Sequence, residues 1–443
     1  MKKIILIIII IAVFIILFFI TKHIISNKYA EQANLKFDSL KYTEAIELYT
    51  KALKWKKKST KIFVRRAQAY NNIGDFNNAI NDCNRALSID SSFTESFYFK
   101  GIANLMLNNY NLSINDFSTC ISKKFNLKES YTWRGIAKFN INLIKGAIED
   151  YTNSINIDSS FAKAYYNRGI ARASVFEYTG AIADYNKAIE IAGEDINTIM
   201  NRLDAKSSIN DYAGVIKDYD ILIEFNPNNA DAIYNRGFFK YKIKDYKGAI
   251  TDLTNAIKLN YNVKEAYYQR GISNANIGEY EKAIKDLEIS LNHSPDKYKI
   301  YYNIGLAKIH IKDLNGGIQS FNNYLEYDKN NPEVYRLIGT IYSLKKNYFK
   351  AIDFYTKAIE VDSKYAEAYY DRGVSKGILN KHKEAILDYN KAITLDDKNG
   401  KYYYNRGISY IATNNFDFGC IDINVSVKLG FDQAKEMKDV YCH

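Results

Sequence analysis

Arginine and aspartate recur sixteen residues apart in this sequence: Arg66 with Asp82, Arg134 with Asp150, Arg168 with Asp184, Arg202 with Asp218, Arg236 with Asp252, Arg270 with Asp286, Arg372 with Asp388 and Arg406 with Asp422. Lys100 with Asp116 keeps the same spacing. Guanidinium groups at such a spacing could bind a row of anions, or each could close on its carboxylate as a two-pronged pair. The exceptions decide between the two. Where the base is missing the acid is missing too, as in Gln32 with Leu48, Ile304 with Ser320 and Ile338 with Phe354. Matching each base to the preceding acid fits less well, because Arg66 and Arg372 would then face Leu48 and Phe354. The ions therefore read as architectural salt bridges, set beside a buried stripe where losing one partner is costly.

A tyrosine followed by an amide recurs with equal regularity. Tyr166 precedes Asn167, Tyr234 precedes Asn235, Tyr268 precedes Gln269, Tyr302 precedes Asn303 and Tyr404 precedes Asn405; Tyr98 and Tyr370 share the tyrosine position and Asn201 the amide position. A carboxamide has an acceptor oxygen and an NH2 donor, so it can meet both polar groups of a peptide unit. A ladder of amides could hold an extended polypeptide by its main chain, while tyrosines add apolar area and a hydroxyl. No nucleophile elbow, phosphate loop or metal motif accompanies them, which points to a protein that is not an enzyme and uses no cofactor or metal.

These residues are positioned by a period of 34. Repeats begin at Ser26, Thr60, Thr94, Lys128, Ala162, Ile196, Ala230, Lys264, Tyr298, Pro332, Ala366 and Gly400, without insertion. Each reads as two short helices, A and B, because apolar or small residues fall three or four apart in Tyr165, Gly169 and Ala173 and again in Ala181, Tyr185 and Ala188. Slot eight of the repeat is glycine in most repeats, from Gly101 to Gly407, and alanine at Ala33 and Ala67. Glycine inside a helix costs roughly 1 kcal/mol against alanine, so a close contact must compensate. Slot twenty is small as well, in Ala45, Ala79 and Ala181 for example, and the two helices are expected to touch there. Repeat six has Leu203 and Val215 in these slots, with Leu222 further on, which predicts a wider helix pair.

On this period and these small slots the chain resembles the tetratricopeptide repeat (TPR) family from about Ser26 onward. The family's tryptophan near the start of helix A is here mostly tyrosine or phenylalanine, as in Tyr165 and Phe63, and its loop proline survives only at Pro227 and Pro295. The resemblance implies an all-α fold, a right-handed α-solenoid superhelix of about twelve hairpins whose A helices line a concave groove. It also implies that the groove binds partners and that the partner-facing slots are the tyrosine and amide slots. A carboxylate clamp, another mode of the family, would need more bases on that face than Lys163 and Arg336.

The formal net charge is +11, but its placement excludes a basic stripe for nucleic acid. Lys2, Lys3, Lys22 and Lys28 lie in the first 30 residues with no acid, and residues 51–66 hold eight bases with none; elsewhere bases and acids nearly balance. The cluster Lys54–Lys61 reads first as a solvated loop and second, if it faces the cytoplasm, as a contact for anionic headgroups. Ile4 to Ile20 is an unbroken apolar run of seventeen, about 26 Å as a helix and near the lower limit for a membrane span. An uncleaved single-pass anchor over residues 1–25 is preferred to a signal peptide, for no suitably spaced small residues follow. Lys2, Lys3 and the amino group slightly outweigh Lys22 and Lys28, which leans the repeats to the extracytoplasmic side. The domain reading is the anchor at 1–25, twelve repeats at 26–433, and a capping helix and tail at 431–443 that uses Ala434, Met437 and Tyr441.

Cys83, Cys120 and Cys420 fall on core-facing slots, and with Cys442 they are expected as free thiols. His23, His293, His310, His382 and His443 are too dispersed to join them at a metal. The expected function is a membrane-anchored scaffold for extended segments of other proteins, binding neither nucleic acid nor a small-molecule substrate. The alternative is a cell-envelope glycan-binding or assembly protein that uses a tyrosine-lined groove.

Overall fold

The computed structural model describes residues 2–291 and 296–442, so His293, Pro295 and His443 lie outside the described residues. Among the described residues there are twenty-five helices and no strand. The first, α1 (Lys2–Asp38), carries the apolar run and helix A of repeat one without a break, and α2 (Tyr42–Trp55) is its helix B. Every side chain from Ile4 to Ile11 is at least 47% exposed, so the apolar surface of this stretch meets no other part of the chain. It is long and apolar enough to cross a membrane.

The chain divides into two bodies, 1–218 and 219–443, and each is built from stacked hairpins. Within each body successive helices pack on one another, and a helix A also touches the helix A of a neighbouring repeat. In repeat five, helix A is Ala162–Ser174 and helix B is Tyr178–Ala192. The turn between them places slot fifteen in the left-handed region in every repeat, with φ of 58–65° at ten non-glycine residues such as Leu40, Phe176 and Lys346 and larger values at Gly74 and Gly278. Asparagine holds this slot at Asn108, Asn142, Asn210, Asn380 and Asn414, as suits a residue that tolerates that conformation. The next residue often caps helix B: Asp75, Asp245, Asp313 and Asn347 each accept from the backbone N–H three residues on.

Between repeats, where the resembled family carries a proline, aspartate folds the loop. Asp90, Asp158, Asp362 and Asp396 accept from the backbone N–H of Ser92, Ser160, Lys364 and Lys398. Such Asx turns impose the bend that proline would otherwise impose.

The slot-eight glycines make room for something larger than the slot-twenty alanines. A Cβ on Gly135, Gly169 or Gly373 would lie 2.6–2.7 Å from a ring carbon of Tyr151, Tyr185 or Tyr389, the slot-twenty-four side chain of the same repeat. Phe117, Leu287, Phe321 and Tyr355 hold the same relation to Gly101, Gly271, Gly305 and Gly339. These knobs are almost wholly buried. The backbone does approach slot twenty as well, with the carbonyl oxygens of Ala283 and Ala351 3.2 Å from where a Cβ would stand on Gly271 and Gly339. Leu203 and Val215 of repeat six are both buried, so the larger side chains are taken into the interior.

At the C-terminal end, Gln433–Tyr441 forms a helix packed on the last hairpin. Ala434 is buried, Met437 is half-buried and Tyr441 is 46% exposed. The expectation of four free thiols is corrected here: Cys420 and Cys442 form a disulfide. The last helix folds back along helix B of repeat twelve and brings its end beside Cys420, a return that the repeat period does not encode. Cys83 and Cys120 are free and buried.

Candidate functional site

Two polar systems run along the A helices. The first is the ion-pair network. Each of the eight arginines donates from Nε and Nη2 to the two carboxylate oxygens of the aspartate sixteen residues on, at 2.6–3.2 Å, and the aspartates are almost wholly buried. Lys100 reaches Asp116 at 3.3 Å.

Three further contacts complete the network, and the spacing of charges alone did not reveal them. The remaining Nη1 donates to slot twenty-five of the preceding repeat: Arg66 to Thr50, Arg134 to Ser118, Arg168 to Thr152, Arg202 to Asn186, Arg236 to Asp220, Arg270 to Thr254, Arg372 to Thr356 and Arg406 to Asn390. Slot eleven adds a second donor to the aspartate, with Lys138, Arg172, Lys206, Lys240 and Lys376 at 2.7–2.9 Å and Asn104 and Asn274 as neutral counterparts. The slot-four ring lies against the guanidinium, as Tyr165 does with Arg168 at 5.5 Å. Each arginine thus joins its own helix B to the previous one. The signal for slot twenty-five was present as a run of Thr, Ser, Asn and Asp, but its varied chemistry hid it. Repeats nine and ten replace the network by packing, with Ile304 and Ile338 buried and Phe354 half-buried against Ile338 and its neighbours.

The second system is the row of tyrosines and amides. All twelve residues assigned to it, Tyr166, Asn167, Asn201, Tyr234, Asn235, Tyr268, Gln269, Tyr302, Asn303, Tyr370, Tyr404 and Asn405, are half-buried. The amide NH2 groups are engaged. Asn167, Asn235, Asn303 and Asn405 donate to the carbonyl four residues back, at 2.7–3.0 Å. Asn201 donates to the Tyr166 hydroxyl at 3.2 Å and Asn405 to the Tyr370 hydroxyl at 3.1 Å, each linking slot six to slot five of the repeat before. Arg336 and Asp371 form the ionic version of this rung at 3.0 Å. Gln269 departs from the pattern, its side-chain oxygen being buried without a donor among the described residues.

This geometry changes what the row can offer. A hydroxyl that accepts from an amide keeps its own proton to donate, and an amide held through an N–H keeps its oxygen to accept. Burial raises the pKa of Tyr234, Tyr268 and Tyr370, and burial with Glu333 nearby pushes Tyr302 up to about 12. These hydroxyls remain protonated donors at neutral pH. The rings at slot five lean on the slot-twenty-four knobs, Tyr166 on Tyr185 and Tyr370 on Tyr389 with centroids 6.3 and 6.1 Å apart.

The tetratricopeptide repeat family model matches residues 60–93, 162–195, 298–331, 332–365 and 366–399, in the register given by the 34-residue period. Heat shock protein STI1 of Saccharomyces cerevisiae is 29% identical over 83 residues, 18% of this chain and 14% of that protein. Tetratricopeptide repeat protein 12 of Homo sapiens is 33% identical over 82 residues, 18% of this chain and 12% of that protein. The matched stretches are thus a small part of either relative. Among solved structures, the C-terminal part of a TPR repeat-containing protein from Cytophaga hutchinsonii aligns with a TM-score of 0.46 at 17% identity, over 52% of this chain and 94% of that chain. Five of the 34-residue units thus match the tetratricopeptide repeat family model in register, and the hairpins between them are built alike.

Proposed function

We propose that this protein is a membrane-tethered scaffold that holds extended segments of other proteins along its A helices and performs no chemistry on them. One observation carries the reading: the amides of slot six are fixed by their N–H groups, so that amide oxygens and tyrosine hydroxyls stand as paired acceptors and donors. That pairing suits the N–H and C=O of an extended main chain and reads little of the side chains. Each body carries its own row, Tyr166 with Asn201 in the first and Tyr370 with Asn405 in the second. Glycan stacking is less well served, because tyrosine rings such as Tyr166 and Tyr370 already pack against the interior knobs.

Tethering rests on the exposed apolar run of α1. An extracytoplasmic position of the repeats is supported by the Cys420–Cys442 disulfide, since such bonds persist in oxidising compartments. The ion-pair network has the role of a structural clamp.

Main-chain recognition is tested by selecting extended peptides that bind the full chain in detergent and then N-methylating their backbone amides. The expected result is loss of binding on methylation with tolerance of side-chain exchange. Binding that survives methylation, or a preference for oligosaccharides on an array, would overturn the reading.

A further inference from the structure

The loop after α2 is more than a solvated turn, because the hairpin α1–α2 fixes its height along the anchor helix. The two helices run antiparallel, with Lys36 paired to Glu44 at 2.6 Å, the Tyr49 hydroxyl donating to Asn34 at 2.6 Å and the Ser26 hydroxyl donating to the Ala52 carbonyl at 3.0 Å. Ser26 is six residues beyond Ile20, the end of the unbroken apolar run, or about 9 Å along a helix. From Ala52 the chain continues toward that end, so that Trp55 and the lysines after it stand beside the boundary between the apolar and polar parts of α1. Trp55 is 41% exposed although it is a large aromatic residue, and Lys54, Lys57, Lys58 and Lys61 are exposed as well. None of these lysines has an acidic partner within ion-pair distance among the described residues, whereas the repeats beyond pair their bases closely.

We infer that Trp55 with Lys54, Lys57, Lys58 and Lys61 forms a basic and aromatic collar that seats on the anionic phospholipid headgroups of the leaflet from which α1 emerges. The inference rests on α1 being a membrane anchor. Lysines attract an anionic surface within about a Debye length of it, and tryptophan settles at the headgroup level. An unpaired cluster at this height, on a chain whose other charges nearly balance, fits a lipid surface. The collar would fix the tilt and rotation of the first hairpin and so aim the repeats away from the bilayer.

The test uses the full chain with Trp133→Phe, which leaves Trp55 as the sole tryptophan, reconstituted into vesicles carrying an energy acceptor on the headgroup. Transfer from Trp55 is expected to be at least twofold greater with phosphatidylglycerol than with phosphatidylcholine alone, and to fall to the neutral-lipid level in 0.5 M salt. Replacing Lys54, Lys57, Lys58 and Lys61 by glutamine should abolish the difference, and replacing them by arginine should keep it. Equal transfer in both lipids while the chain still floats with vesicles would overturn the collar and leave the anchor standing. A chain that does not float would overturn the anchor and the collar with it. A cluster saturated by soluble RNA yet indifferent to phosphatidylglycerol would also overturn the inference.

Discussion

Asp184 shows how much one side chain of the network carries. It accepts from Arg168 and from Arg172, and Arg168 in turn reaches Thr152 of the repeat before. Asp184→Ala is expected to lower stability by about 3–5 kcal/mol, because a half-buried guanidinium loses its counter-ion. Chemical denaturation followed by circular dichroism measures it. Repeat ten indicates the remedy: Arg168→Ile with Asp184→Phe, copying Ile338 and Phe354, should recover most of the loss. Asp116 behaves differently. Burial raises its pKa above the usual carboxylate range, against the lowering effect of Lys100 and Asn104. A carboxyl whose folded pKa is raised binds its proton more tightly when folded, so its ionised form costs stability at neutral pH. That cost is relieved as pH falls through the folded value and is gone below the unfolded value near 4. Asp116→Asn should therefore compare best with the parent chain at pH 7 and lose ground toward pH 4, in denaturation midpoints taken across that range.

At the scale of the hairpin, the turn and the packing of the knob set the geometry. Phe176 holds a left-handed φ of 64° and is 78% exposed, so it suffers the strain without gaining burial. Phe176→Gly is expected to stabilise the protein by about 1 kcal/mol, read as a rise in the denaturation midpoint. The helix pairs themselves were legible in the sequence, because a 34-residue period with small residues at slots eight and twenty leaves few other arrangements. What the glycines accommodate was not. Tyr151, Phe117, Leu287 and Cys83 share a slot but not a chemistry, so the knob appears only when distances are measured. The cysteines divide in the same way. Cys442 lies beyond the periodic stretch, and its return to Cys420 depends on how the last helix folds back. Burial pushes the Cys120 thiol up to about 12 and raises that of Cys83 as well. Iodoacetamide should label no cysteine in the native chain, two after denaturation and four after reduction, as counted by mass spectrometry.

For the whole molecule, function depends on which groups the repeats leave free. The sequence showed the tyrosine and amide rows because they recur, yet it could not show that the amides are already held through their N–H groups. Asn167 and Asn303 return to carbonyls of their own helices, and Asn201 and Asn405 hold the tyrosines of the preceding repeats. The consequence is a surface that presents fixed oxygens and hydroxyls in place of freely turning amides. Its partner should be a polypeptide whose main chain is extended and unpaired. The most direct measurement is photo-crosslinking of the full chain in intact membranes, with a photoreactive residue replacing Asn235. A protein adduct whose linked segment is an extended stretch, found also from Asn405 but not from the outward Lys187, is the expected result. Adducts only to glycan or lipid, or equal adducts from Lys187, would contradict it.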